Sequence, residues 1–153
     1  PRYLSSAASD VYKRQDLDTL EIISKEQFKV KKLQPRFKLL LKDNSYHIQI
    51  IEEKGAVIGF IIIKFLYENL IDIYSIAIKK EYQNRGYGYK LLSRVLKNFH
   101  KYKITLEVSE DNVAKKLYLK CGFKIDSVRK RYYGNNDAIL MSFYKLEPGS
   151  EES

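Results

Sequence analysis

Apolar residues recur along this chain with two different periods, and the switch between them predicts most of its architecture. Leu17, Leu20 and Ile23, with Phe28 beyond them, follow a helical spacing behind Asp16, a residue able to cap a helix start. Phe37, Leu40 and Leu41 mark the inward face of a second, short helix over Pro35 to Lys42, with Pro35 in its first turn. From Tyr46 the period shortens to that of strands. Tyr46 to Glu52 and Ala56 to Leu66 flank Glu53-Lys54-Gly55 and read as a hairpin. Leu70 to Ile78 is apolar on nearly every residue near its end, as in a centrally buried strand. Helical spacing returns at Leu91, Leu92, Val95, Leu96 and Phe99. There follow a strand over Ile104 to Ser109 and a helix from Asp111 to Lys120, stopped by Gly122. Two last strands, Phe123 to Arg131 and Ala138 to Leu146, join through Gly134-Asn135-Asn136. The order ααβββαβαββ predicts an α/β (α+β) domain.

Between the strand ending at Ile78 and the helix of Leu91 lies Gln83-Asn84-Arg85-Gly86-Tyr87-Gly88. A strand that runs through a glycine-bearing turn into a helix start is suited to anions. The first-turn N–H groups have no helical partner, and the helix dipole adds positive potential there. Glycines let a diphosphate approach the backbone. The spacing is neither that of the mononucleotide loop nor that of the dinucleotide fingerprint. It is Q-x-x-G-x-G, which resembles the acyl-CoA pyrophosphate loop of the GCN5-related N-acetyltransferases.

Three further blocks carry the same resemblance in the family's order, covering about half of the chain with the loop. They are Thr105-Leu106-Glu107-Val108, then Ala114-Lys115-Lys116-Leu117-Tyr118 with Cys121-Gly122-Phe123, then Arg131-Tyr132-Tyr133 with Asp137-Ala138-Ile139-Leu140-Met141. They are most similar to the branch that acetylates protein N-termini, that of a ribosomal protein among them. The resemblance implies a mixed, mostly antiparallel sheet flanked by helices, acetyl-CoA as acyl donor, and direct attack by a primary amine. Glu107 would be the base and Tyr118 the acid that protonates the departing thiolate. Ile76, Ala77 and Ile78 would offer backbone groups to the donor, together with Gln83, Asn84, Arg85, Gly86, Tyr87 and Gly88 in the loop and Asn112, Lys115 and Tyr118 beyond it. Tyr74, Tyr132 and Tyr133 would shape the acceptor's pocket.

The residues alone leave alternatives open. Glu107 at a strand centre would be a stronger base if buried, and an ordinary exposed glutamate otherwise. Tyr118 shares a helical face with Val113, Ala114, Leu117 and Cys121, so it also suits plain core. Two features depart from the family. The chain between Glu107 and Tyr118 is one residue short, which leaves Asn112 or Asp111 in the conventional asparagine position. The Lys-rich stretch from Phe28 to Pro35 also lacks the aromatic residues of the ribosomal-protein enzymes. An α-amine, with a pKa of about 7.8, is easier to deprotonate than a lysine at about 10.4, a gap worth about 3.5 kcal/mol. A polypeptide N-terminus is therefore the preferred acceptor. A polyamine or aminoglycoside acceptor, a non-catalytic acyl-CoA-binding module and a basic nucleic-acid-binding domain are the competing readings.

Composition narrows this picture only a little. Ser5 to Gln15 matches the in-frame translation of a transposase adapter used in sequencing libraries, so residues 1–15 are read as non-native, fused to a metagenomic gene fragment. On that reading the family's first edge strand is missing, the domain runs over residues 16–146, and residues 147–153 form a disordered tail. Leaving out Arg2, Lys13, Arg14 and Asp10 takes the formal charge from +9 to +7, which still suits an anionic ligand. The single cysteine excludes an internal disulfide, and two scattered histidines give no metal site. Cys121, His47 and His100 look incidental. The expectation is a cytoplasmic monomer or weak dimer, with no metal, membrane or direct nucleic-acid partner.

Overall fold

The computed structural model describes residues 3–5 and 14–145. The predicted tail, Leu146, and residues 1, 2 and 6–13 of the amino-terminal segment lie outside these residues. In chain order the elements are β1 (Tyr3–Ser5), α1 (Arg14–Gln27), α2 (Phe37–Leu40), β2 (Tyr46–Glu53), β3 (Ala56–Tyr67) and β4 (Leu70–Ile78). Then come α3 (Tyr87–Asn98), β5 (Lys103–Ser109), α4 (Ala114–Lys120), β6 (Lys124–Tyr133) and β7 (Asn136–Phe143). One sheet takes all seven strands in the order β1-β2-β3-β4-β5-β7-β6. Only β4 and β5 run parallel.

The predicted elements are met, with shifts at their ends that have physical causes. Helix α2 starts after Arg36 instead of at Pro35, because Arg36 is its N-cap and has a non-helical backbone (φ −92°, ψ 81°). Asp16 lies inside the first turn of α1 and not at its cap; negative charge there still favours the helix dipole. Helix α4 starts only at Ala114, whose N–H is taken by Asn112 Oδ1 at 2.8 Å. The hairpin between β2 and β3 turns on Lys54 (φ 52°) and Gly55 (φ 82°), the paired left-handed residues that match strand twist. The edge beside β2, expected to be bare, is occupied. Tyr3–Ser5 pairs with it antiparallel, Tyr3 opposite Gln49 and Ser5 opposite His47. A sheet edge presents unpaired N–H and C=O groups that any extended segment satisfies, whatever its side chains.

The sheet separates two cores. Leu20, Ile23, Phe37, Leu40 and Leu41 pack with Ile48, Ile50, Phe60 and Ile62 on the α1 face. Ile61, Ile63, Ile71 and Ile73 pack with Leu91, Leu92, Val95 and Tyr118 on the α3–α4 face. Strand β3 is buried on both faces from Val57 to Ile63, and each such isoleucine contributes about 1.5–3 kcal/mol. Gly59 lies in this run because a Cβ there would meet Ile78 Cδ1 at 2.5 Å and the Ala77 carbonyl oxygen at 2.9 Å.

His47 sits half-buried against the Phe99 ring (centroids 6.3 Å), and burial holds its pKa below the ordinary value. The unfolded chain therefore binds a proton more readily than the folded one, and stability falls as the pH drops below about 6.5. Between about pH 7.5 and 5.5 the parent's urea midpoint should fall relative to that of His47→Gln, a difference from which the opposite contribution of Asp72, whose pKa burial raises, cancels. Asp43 and Asp137, whose pKa values are lowered by hydrogen bonds, act only below the ordinary carboxylate range, so they do not share this window.

Candidate active site

Strands β4 and β5 stay together for three residues and then part. Leu70 faces Lys103, Ile71 faces Ile104 and Asp72 faces Thr105, and no pairing continues beyond. From Ile73 to Ile78, β4 is paired only with β3; from Leu106 to Ser109, β5 is paired only with β7. A bulge coincides with the parting: Ile63 faces Ile73 and Ile62 faces Ser75, which leaves Tyr74 as the extra residue. The result is a gap walled by two strand edges.

Backbone alternation decides what lines it. The Lys79 N–H donates to the Ile58 carbonyl at 2.7 Å, so Lys79 and Ala77 turn their polar groups toward β3. Ile76 and Ile78 turn theirs into the gap. Ala77 does not reach it: its side chain is 3 % exposed and packs in the core on the α1 face. The Ile78 carbonyl already accepts from Gln83 Nε2 at 2.9 Å, so its N–H is the group left to a ligand.

The glycine loop closes one end of the gap. Gly86 stands at the N-cap of α3 with φ 86°, no side chain caps the helix, and nothing lies within 4 Å of where a Cβ would project. The first-turn N–H groups of a 12-residue helix are thus presented at an open, side-chain-free surface. Asn84 is also left-handed (φ 60°). Gln83 spends its amide on Ile78 and on Gln27 Oε1 of α1 (3.1 Å), so its side chain ties the loop down. The Arg85 guanidinium lies over the rings of Tyr82 (5.1 Å) and Tyr87 (5.8 Å), and the Tyr87 hydroxyl donates to Glu53 Oε2 at 2.9 Å. The loop is braced on three sides and open on the fourth. It fits a diphosphate.

Side chains reach the gap from both faces of the sheet. Tyr118, on α4, is 5 % exposed and stands edge-on to Phe123 with centroids 5.7 Å apart. Its hydroxyl pKa is pushed far above the ordinary phenol value, first by burial and then by the negative charge of Asp72. Glu107 alternates with buried Leu106 and Val108, so it projects from the opposite face. Its side chain is 32 % exposed, so the burial that would strengthen it as a base is absent, and Oε1 lies 3.7 Å from the Arg129 guanidinium.

Asp72 was not anticipated among the site residues. It is half-buried in the last pair before the strands part and accepts from the Thr105 hydroxyl at 2.7 Å. Burial pushes its pKa up, and the nearby Glu107 charge adds to this; the Thr105 hydrogen bond and Lys64 oppose it. The signal in the sequence was a lone carboxylate inside an otherwise apolar strand.

Other predicted residues are spread around this centre. Tyr74 is 47 % exposed and meets the Tyr46 ring edge-on at 5.4 Å, with Lys64 Nζ 5.3 Å above Tyr46. Tyr132 is exposed beneath the Arg129 guanidinium (5.4 Å). The Tyr133 side chain lies outside the described residues. Asn112 caps the start of α4, while Asp111 is held by Ser109 and by Asn136 Nδ2 (3.2 Å). The shortened segment thus puts Asn112, not Asp111, at the helix start. Lys115 follows in the first turn of α4.

The model of the acetyltransferase (GNAT) family matches residues 10–123. The chain belongs to this family. It is an N-acetyltransferase, with acetyl-CoA as acyl donor. It is 35 % identical over 100 residues to the ribosomal protein bS18-alanine N-acetyltransferase of Haemophilus influenzae, covering 60 % of this chain and 68 % of that one. The crystal structure of the ribosomal-protein-S18-alanine N-acetyltransferase of Escherichia coli matches with a TM-score of 0.75 at 22 % identity, over 90 % of this chain and 94 % of that one. A GNAT family acetyltransferase from Elizabethkingia anophelis, solved with acetyl-CoA bound, matches with a TM-score of 0.66 at 21 % identity, over 81 % of this chain and 89 % of that one. Among the described residues of this GNAT chain no group of His, Cys, Asp and Glu is placed to hold a metal, and no helix is long and apolar enough to cross a membrane.

Proposed function

We propose that this enzyme acetylates the α-amine of a polypeptide N-terminus, a ribosomal protein being the acceptor that its relatives favour. Such an acceptor would place it in the cytoplasm. The observation that carries the reading is the two-sided gap, with carboxylates on one face and a buried phenol on the other. That arrangement suits an acceptor entering from the α1 face while the departing sulfur lies toward α4. Backbone groups of Ile76 and Ile78 would hold the donor's arm, and the open start of α3 at Gly86 and Gly88 its diphosphate. Acetyl-CoA supplies an acetyl thioester.

Glu107 removes the proton from the ammonium, directly or through water, at its exposed carboxylate. The amine nitrogen then bonds to the acetyl carbon while an N–H in the gap receives the negative charge on oxygen. As the carbon–sulfur bond breaks, the Tyr118 hydroxyl gives its proton to sulfur, the nitrogen of the new amide releases its remaining extra proton to water, and the Tyr118 oxygen regains a proton from solvent before the next turnover. Tyr74 and Tyr132 border the acceptor's path.

Thiol release from acetyl-CoA, measured with peptides that differ in their first residue and with spermidine, tests the proposal. Turnover that depends on the first residue, with the acetyl group located on the α-amine by mass spectrometry, is the expected result. Preference for spermidine would move the assignment to small amines, which two carboxylates on the acceptor face would also suit. Tight acetyl-CoA binding without turnover on any amine would leave a binding module.

A further inference from the structure

A hollow of about 670 Å³ lies between α1 and the segment that leads into α2, and no residue of β4 or β5 lines it. It is therefore separate from the gap where transfer takes place. Lys25, Lys31, Lys32, Arg36 and Lys38 converge on it against a single carboxylate, Glu21. None of these five cations makes an ion pair among the described residues. Like charges gathered around a concavity raise its potential and favour a negative occupant. In its lining is the Ser24 hydroxyl, 2 % exposed and without a hydrogen-bond partner. Gln34, pinned by its amide to the Phe28 carbonyl at 2.8 Å, holds the connecting segment in place.

Among the lining cations stands one exposed apolar side chain, Leu39, 56 % exposed. A free phosphate would leave most of the volume and Leu39 unused. Nucleic acid is disfavoured as well, since single strands bind by stacking bases on exposed rings and the one ring in the lining, Phe37, is 1 % exposed. An acidic stretch of polypeptide with apolar residues interspersed satisfies both halves of the surface.

We propose that this hollow docks an acidic, leucine-bearing segment of a partner polypeptide, outside the acetyl-transfer gap. The probe is a fluorescein-labelled peptide alternating glutamate with leucine, followed by anisotropy against the full chain. Binding that weakens as salt rises, and that falls by about tenfold or more in Lys31→Glu/Arg36→Glu, is the expected result. Both side chains are exposed, so the variant should keep the parent's urea midpoint, which serves as the folding control. Undetectable binding, or binding unchanged in the variant, overturns the proposal. So does tighter binding of a single-stranded RNA that is lost in the same variant, which would make the hollow a nucleic-acid site.

Discussion

Tyr118→Phe should lower kcat for peptide acetylation by about 10²–10³-fold while leaving the affinity for acetyl-CoA within about threefold, because general-acid assistance is worth that much and is felt only in the transition state. The argument starts from burial. A phenol pushed this far up never ionises at a working pH, so the acid is always loaded. The same burial makes proton transfer to sulfur look unfavourable when the phenol is compared with a thiol in water. The dry gap offsets this, because a thiolate formed there lacks its hydration and holds a proton more strongly as well. Plain core is the rival explanation, since Tyr118 packs against Phe123 within the larger apolar cluster. Phenylalanine keeps that packing. Unchanged urea midpoints with collapsed kcat would assign the hydroxyl to chemistry, and retained kcat would return Tyr118 to the core.

How much of this was legible in the sequence depends on what each residue answers to. The strands β2 to β5 and the helix face of Leu91, Leu92 and Val95 could be read because burial imposes a period on them. The loop at Gly86 could be read because a left-handed N-cap without a side chain calls for glycine. The parting of β4 from β5 could not be read from residues, since it is an absence of pairing between strands some 30 residues apart, and only the family resemblance pointed to it. Asp72 was missed for the same reason. Its part depends on Thr105 and Glu107, which tertiary structure brings to it. Glu107 was found by its motif, but its exposure, and Arg129 beside it, depend on the register of β5, β7 and β6. The amino-terminal strand shows a third limit: edge pairing satisfies backbone groups and ignores the side chains on which a sequence reading rests.

Two carboxylates lie near the gap, and exchanging each for its amide should separate their parts. Glu107→Gln should cost about 10²–10⁴-fold in kcat, the range for a general base, with donor binding retained. Asp72→Asn should cost less, about tenfold, because its loss acts through the field and hydrogen bonding of the site. Position decides the order. Glu107 stands at the unpaired edge of β5, exposed enough to pass a proton on to solvent between turnovers. Asp72 is turned toward Thr105, whose hydroxyl occupies one of its oxygens, and stands beside Lys64. Burial raises its pKa above the ordinary aspartate value, which makes it a stronger proton acceptor than an exposed aspartate and therefore the rival that must be tested. The Arg129 partner of Glu107 is largely exposed, so an ion pair at 3.7 Å is worth at most about 1 kcal/mol and Arg129→Ala should change kcat by no more than about fivefold. If Asp72→Asn is the variant that loses turnover and Glu107→Gln keeps it, the base belongs to β4, and the exposed glutamate is a surface residue that borders the acceptor's path.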